Sequence, residues 1–246
     1  MISSDAPPFV VECAGPSGCG KSTFLKRLME EIGEPFVAVH TGLDFQSPLL
    51  PAHLADLTKQ NIKTDIHMLP WFILFSFKHI SFTIFSLKRI IAAPASWRHK
   101  IAIFRSFIRK TGLSVFLKTT GFNGHFVLVD EGLIQSLHNF LVFPNGKVDD
   151  KYAEKFSELV PLPDKIVYFN QSADSISNQL LERGVFSPRL KGSDEVKAFV
   201  QNAHNAFSVF SKNPRLNDCL VPVPDSSMES AENFASRLGY GRQGSV

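Results

Sequence analysis

The stretch that decides the fold is Gly15-Pro16-Ser17-Gly18-Cys19-Gly20-Lys21-Ser22. It has the spacing G-x-x-x-x-G-K-S, follows the apolar run 9–14 and leads into a helical pattern that begins at Thr23. A glycine-rich loop between a strand and a helix is the setting of a phosphate-binding loop, whose backbone N–H groups point inward at phosphate oxygens. A glycine-rich turn that contains a lysine by chance is the alternative, and both flanks argue against it.

Individual residues of this loop have predicted roles. Residues 15–23 are expected to hold the phosphates of a nucleoside triphosphate, with Lys21 reaching the β- and γ-phosphates and the Ser22 hydroxyl taking one position around Mg²⁺. The N–H groups at a helix end favour a lowered pKa for the Cys19 thiol, although a filler position explains this residue more simply. The sequence therefore predicts binding of a nucleoside triphosphate.

The charge of the chain is divided unevenly. Its 246 residues are 44% apolar and 20% charged, a composition that supports a sizeable core and excludes a disordered chain. No acidic residue occurs between Asp65 and Asp130, whereas nine basic residues do. The remaining 17 basic and 23 acidic residues give the rest of the chain a net charge of −6. One cationic segment is thus attached to an acidic body.

Cysteine usage and the N-terminal sequence indicate a reducing compartment. The three cysteines are odd in number and lack metal-ligand spacing, and Cys13 and Cys219 lie in predicted core strands. Residues 1–8 have no basic start followed by an apolar core, so no secretion signal is predicted. We therefore expect a cytoplasmic protein.

The first part of the chain predicts a βαβ unit. A strand at 9–14, a helix that ends before Gly33 and a strand at 36–40 imply a parallel sheet with a right-handed crossover. Asp44 follows the carboxyl end of the second strand, the edge at which ligands bind in open α/β sheets. Asp44 is therefore a candidate base for a substrate hydroxyl, and a turn-capping aspartate is the alternative.

An apolar and basic insertion follows at 47–122. Residues 70–91 raise the question of a membrane span, but Lys78 and His79 divide them, and neither half reaches the roughly 18–20 residues that a spanning helix needs. A buried helix or one that lies at an interface explains them better. Pro94 ends this helix, and a second one is predicted from Trp97 to Lys110.

The second helix of the insertion carries a basic face. Arg98, Arg105 and Arg109 follow at i, i+7 and i+11 and therefore stack on one side of the helix. A solvated surface beside a core stripe is the alternative, but the acid-free segment leaves these cations without local partners. We expect a helical cap that handles an anion, either a substrate phosphate or an acidic membrane surface.

A second nucleotide-binding motif is predicted at 125–130, where four apolar residues precede an aspartate. Asp130 is expected to hold Mg²⁺ opposite Ser22, directly or through water. Glu131 either positions a nucleophile or places a favourable negative charge at the start of the next helix.

A lid is predicted at 183–193, after a fourth strand at 165–170 and a helix. Arg183 and Arg189 in this glycine- and proline-bearing loop suit a segment that closes on phosphates, because guanidinium groups stabilise spreading charge. A fifth strand at 218–224, a last helix and a loose tail at 239–246 complete a single domain over 1–246.

Three of these features resemble the nucleoside and nucleotide kinase group of P-loop proteins, with thymidylate-kinase-like members nearest. They are the loop 15–22, the strand end 127–132 and the strand, helix and arginine loop at 166–189. The resemblance implies an α/β three-layer sandwich with a five-stranded parallel sheet flanked by helices. It also implies ATP and Mg²⁺ as cofactors and γ-phosphoryl transfer to a nucleoside or nucleoside monophosphate.

The same resemblance implies roles for single residues. Lys21, Arg183 and Arg189 would contact phosphates. An acid in the position of Asp44, or of Asp130 and Glu131, would serve substrate or metal. Residues 130–132 differ from the Asp-Arg-aromatic sequence usual in thymidylate kinases, which leaves the acceptor and the choice of base open.

Other classes of function remain open. A P-loop ATPase that couples hydrolysis to a partner or membrane surface fits the Asp130-Glu131 pair, although no Leu-Ser-Gly-Gly-Gln signature occurs. A nucleotide-gated protein with peripheral membrane contact fits the aromatic and basic stretch 71–110. GTP and nucleic acid are disfavoured as ligands because neither Asn-Lys-x-Asp nor a nucleic-acid motif occurs. A homodimer is also compatible with the sequence.

Overall fold

The structure is a computed structural model, and it describes residues 7–32, 36–40, 62–119, 124–143, 146–184, 192–223 and 231–238. The predictions for Asp44, for residues 47–61 of the insertion, for most of the lid and for the tail at 239–246 lie outside these residues.

Five parallel strands form the central sheet in the order β2-β3-β1-β4-β5. The strands are β1 (Phe9–Ala14), β2 (Phe36–His40), β3 (Phe126–Asp130), β4 (Lys165–Phe169) and β5 (Leu220–Val223). Because β1 is central, it pairs with β3 on one side and with β4 on the other. The parallel sheet flanked by helices that the sequence predicts is confirmed.

Helices connect the strands and cover both faces of the sheet. They are α1 (Lys21–Ile32), α2 (Ile62–Lys78), α3 (Ile80–Ala92), α4 (Trp97–Thr119), α5 (Ser136–Leu141), α6 (Asp150–Leu159), α7 (Ala173–Arg183), α8 (Ser193–Ser211) and α9 (Ala231–Arg237). A short 3-10 helix, Pro214–Leu216, precedes β5.

The insertion supplies one layer of the sandwich. Ile108 and Leu117 of α4 belong to the same buried cluster as Val127 and Val129 of β3. Residues of α1, α7, α8 and α9 form the cluster on the other face. Since both faces are covered, the strands are continuous apolar runs, as is usual for parallel sheets.

The helices of the insertion differ from the predicted ones. α2 begins at Ile62 and continues through Pro70, and α4 extends beyond Lys110 to Thr119. A proline inside a helix costs stability because it removes a backbone hydrogen bond. Packing against α4 offsets this cost. The two helices are in close contact here, since a Cβ on Gly112 would lie only 2.7 Å from the backbone oxygen of Met68. None of the described helices is alone long and apolar enough to cross a membrane. Only α2 and α3 together reach that length and hydropathy, as a pair bent by 114°.

Two of the arginines on α4 have a partner, contrary to the prediction. Asp65 of α2 accepts hydrogen bonds from Arg105 Nε and, over 2.6 Å, from Arg109 Nη1. The expectation was wrong because Asp65 stands at the edge of the acid-free segment and lies on the neighbouring helix. Arg98 is exposed.

Candidate functional site

The loop that follows β1 requires glycine at two of its positions. Gly18 and Gly20 have φ values of +90° and +84°, which residues with a Cβ rarely adopt. A Cβ on Gly18 would also lie 2.8 Å from Cδ2 of Leu180 on α7. The backbone can therefore curl at the start of α1, the arrangement in which N–H groups converge on an anion.

Lys21 spans this loop from the first turn of α1. Its ammonium Nζ donates to the backbone oxygens of Gly15 and Pro16 over 3.1 and 2.9 Å, and the side chain is only 6% exposed. Two carbonyl oxygens thus satisfy a buried cation that would otherwise be costly. Lys21 is held directly beside the curled backbone.

Ser22 and Asp130 meet at the carboxyl edge of the sheet. The Ser22 hydroxyl donates to Oδ2 of Asp130 over 2.7 Å, and Asp130 is 1% exposed. The strand register explains the contact, because Asp130 ends β3 opposite Cys13 of β1, two residues before the loop begins. The structure brings together Lys21, Ser22 and Asp130.

The donor set at this edge suits magnesium. A hydroxyl and a carboxylate are hard oxygen donors, and Mg²⁺ usually takes one or two carboxylates together with phosphate oxygens and waters. In the part of the chain that the structure describes, no cluster of three or more histidine, cysteine or acidic side chains forms a metal cage. Ser22 and Asp130 therefore fit a metal that arrives with a nucleotide.

Glu12 fixes the turn that follows β3. Its Oε2 accepts a hydrogen bond from the Ile134 backbone N–H over 2.8 Å, and burial raises the pKa of this carboxyl group. A Cβ on Gly132 would lie 2.4 Å from Cδ of Glu12, so only glycine fits there. Glu131, the residue directly before Gly132, has a φ of +58°. A role for Glu12 was not predicted from the sequence, although a single charged residue within the apolar run 9–14 is a signal that could have indicated one.

A second missed residue is Lys110 of α4, which is 5% exposed. Burial lowers the pKa of its ammonium group, and the Glu131 and Glu12 carboxylates act in the opposite direction. No ion pair joins Lys110 to a carboxylate among the described residues. Both Lys110 and Glu12 line a cavity of about 310 Å³ between α2, α4 and the sheet.

Three side chains near the start of α5 each hold a buried polar atom that has no hydrogen-bond partner in the described part of the chain. The atoms concerned are Gln135 Oε1, Ser136 Oγ and His138 Nε2. Burial lowers the pKa of His138 from 6.5 to about 4, and Lys21 acts in the same direction. His138 is therefore neutral at physiological pH. Buried polar atoms of this kind usually find a partner in a ligand or water.

The predicted lid at 183–193 is described only at its two ends, 183–184 and 192–193. Leu180 contacts the loop at Gly18, so the last turn of α7, which ends at Arg183, lies beside the loop. Gly184 then ends the helix in a left-handed conformation. The side chain of Arg183, and Arg189 and Asp44 as a whole, lie outside the described residues.

The cysteines are structural, as expected for buried small hydrophobic residues. Cys13, Cys19 and Cys219 are free and buried. Burial raises the pKa of each thiol, including that of Cys19 in the loop. The alternative of a reactive Cys19 with a lowered pKa is wrong, because desolvation outweighs the nearby Lys21 ammonium.

No protein-family model and no curated protein sequence matches the chain. The structure is similar to a deoxyadenosine kinase from M. mycoides with bound dATP, with 13% identity, a TM-score of 0.47 and coverage of 94% of this chain and 100% of that one. A second structure of that enzyme, with the products dCMP and a flexible dCDP, gives 13% identity, a TM-score of 0.41 and coverage of 94% and 96%.

Proposed function

We propose that the protein is an ATP- and Mg²⁺-dependent phosphotransferase that acts on a small molecule, a nucleoside or nucleoside monophosphate in the first instance. The observation that carries the proposal is the hydrogen bond between Ser22 and Asp130 beside the Lys21 ammonium. These three residues combine a cation for phosphate oxygens with two oxygen donors for a metal.

The loop would bind the triphosphate mainly through its backbone. Its curled N–H groups contact phosphate oxygens, and Lys21 exchanges the carbonyl oxygens of Gly15 and Pro16 for the β- and γ-phosphates. Mg²⁺ held by Ser22 and Asp130 would offset the negative charge of these phosphates. Arg183, the last residue of α7, is proposed to contribute a further positive charge from the lid.

The acceptor is proposed to bind at the carboxyl end of β3, where Glu131 directly follows Asp130. Glu12 and Lys110 line, together with Gly132, a cavity between α4 and the sheet whose lining includes no residue of the loop 15–22. The buried Lys110 ammonium suits an anionic group on the acceptor. Glu131 is the candidate base among the described residues, and Asp44 is the other candidate that the sequence offers.

The reaction is tested with purified protein, ATP and Mg²⁺, first alone and then with pooled nucleosides, nucleoside monophosphates and sugars. We expect a new product heavier than one pool member by one phosphoryl group, and little ATP consumption without the pools. The Lys21→Ala variant is the matched control and should form no product. ATP turnover that is equal in both proteins would refute the proposal.

A P-loop ATPase is the second candidate function. It is favoured by one observation, the glutamate that directly follows Asp130 at the end of β3. Steady ADP release by the wild type without a phosphorylated product from any pool would select this alternative, provided that the Lys21→Ala variant abolishes the release.

A further inference from the structure

The outward sides of α2 and α3 are apolar. With the exception of Tyr152, the exposed large hydrophobic side chains of the described residues lie between Ile62 and Ile101. Those on α2 and α3, apart from Leu74, recur at helical spacing, and we call them the docking face: Ile62, Ile66, Leu69, Ile73, Phe77, Ile80, Ile84 and Ile91. Phe77 is the most exposed, at 80%.

The inner sides of the same helices are occupied by the protein itself. Met68 and Phe75 of α2 and Phe82 and Ile90 of α3 are buried. Both helices are thus apolar on two sides, and the docking face is not the side that builds the fold. A stripe of apolar side chains left exposed along a helix marks an interaction site.

The exposed charged side chains within 62–119 are cations, and no carboxylate is exposed in this range. Lys63, Lys78 and Lys88 are exposed. Asp65 is the only acidic residue in this range, and it is buried and ion-paired with two arginines of α4. A second copy of the chain would bring these cations against the same cations, which costs free energy, whereas anionic lipid headgroups complement them.

The break between the helices forms a corner in the docking face. The axes of α2 and α3 are bent by 114° at His79, and Phe77 and Ile80 flank this bend with 80% and 61% exposure. Aromatic and aliphatic side chains at such a corner can enter the boundary between headgroups and acyl chains while lysines contact lipid phosphates.

From this combination we propose that the docking face binds the surface of an anionic lipid bilayer. The helices lie in the headgroup boundary, since their inner sides remain in the protein core. The proposal concerns a surface separate from the phosphate loop and does not depend on which reaction that loop serves.

Flotation with lipid vesicles tests the proposal. The full chain is mixed with vesicles of phosphatidylcholine alone or with about one third phosphatidylserine, at low and at physiological salt. We expect binding to the anionic vesicles that is weaker at higher salt, and little binding to the neutral ones. Absence of binding to both vesicles at low salt would overturn the proposal.

Two pairs of variants separate lipid docking from other causes. Phe77→Asn removes an inserting ring and should weaken partitioning on the order of tenfold, whereas Phe77→Leu keeps an apolar side chain at this position and should retain most of the binding. Lys88→Glu should weaken it by a similar factor, in contrast to Lys197→Glu on α8. Equal binding by all four variants contradicts the proposal. So does a Phe77-dependent dimer without lipid binding, because it identifies a second copy as the occupant. Near-ultraviolet circular dichroism confirms that each variant is folded.

Discussion

Ser22 Oγ lies 2.7 Å from Oδ2 of Asp130, although 108 residues separate the two along the chain. The hydrogen bond joins the loop after β1 to the end of β3, its neighbour in the sheet. A parallel sheet places the carboxyl ends of its strands at one edge, so residues distant in sequence converge there. The residues proposed for phosphate and metal binding are therefore fixed by the sheet itself.

Replacement of Lys21 by alanine should abolish nucleotide-dependent activity. The ammonium is the cation held across the loop, and loss of one such electrostatic contact typically lowers kcat by about 10²–10³-fold. ATP turnover and nucleotide affinity measure the effect. Lys26→Ala on the exposed side of α1 is the matched control and should retain activity. Full activity of Lys21→Ala would show that this loop does not bind the transferred phosphates.

Gly18→Ala should impair both stability and nucleotide binding. The φ of +90° and the 2.8 Å approach to Leu180 leave no room for a Cβ, and strain of this kind costs about 1–3 kcal/mol. Urea unfolding and nucleotide titration report the two effects. Gly192→Ala is the control, because Gly192 is extended at φ of −169° before α8. Equal losses in the two variants would contradict the steric explanation.

Replacement of His138 should make the free energy of unfolding depend less on pH between pH 4 and 6.5. The pKa of His138 is about 4 in the folded protein and about 6.5 in the unfolded chain. Between these values the unfolded chain binds more protons, so the free energy of unfolding falls as the pH drops from 6.5 to 4, by up to about 3 kcal/mol.

The measurement compares the wild type with His138→Leu by urea unfolding at several pH values. The variant keeps an apolar side chain against Phe199, whose ring lies 5.2 Å from that of His138. We expect the free energies of unfolding of the two proteins to differ by a constant amount above pH 7. Below pH 6.5 the wild type should lose stability relative to the variant. Parallel curves down to pH 4 would mean that His138 titrates alike in both states.

The sequence predicts the parts of this protein that depend on local pattern. The spacing of 15–22 and the apolar runs identify the loop, the strands and the convergence of Ser22 with Asp130. Glu12 and Lys110 were missed because a buried charge is recognised only by what surrounds it, and their surroundings come from distant helices. Asp65 was not predicted as the partner of Arg105 and Arg109 for the same reason, since the sequence of neither α2 nor α4 alone predicts the contact between them.

Asp65→Asn should destabilise the contact between α2 and α4. Asp65 is buried and accepts from both Arg105 and Arg109, and removing one member of a buried ion pair costs about 3–5 kcal/mol because the remaining charges lose their partner. The loss of stability should be smaller than this full range, because Arg105 is about a third exposed and stays solvated without Asp65. Thermal and urea unfolding measure the loss.

Glu158→Gln provides the comparison, because the ion pair between Lys155 and Glu158 is 54% exposed on both sides and should contribute less than about 1 kcal/mol. The two substitutions remove the same charge from pairs that differ mainly in burial. A loss for Asp65→Asn no larger than that for Glu158→Gln would mean that water screens the Asp65 pairs as it does surface ones, and that apolar contacts alone join α2 to α4.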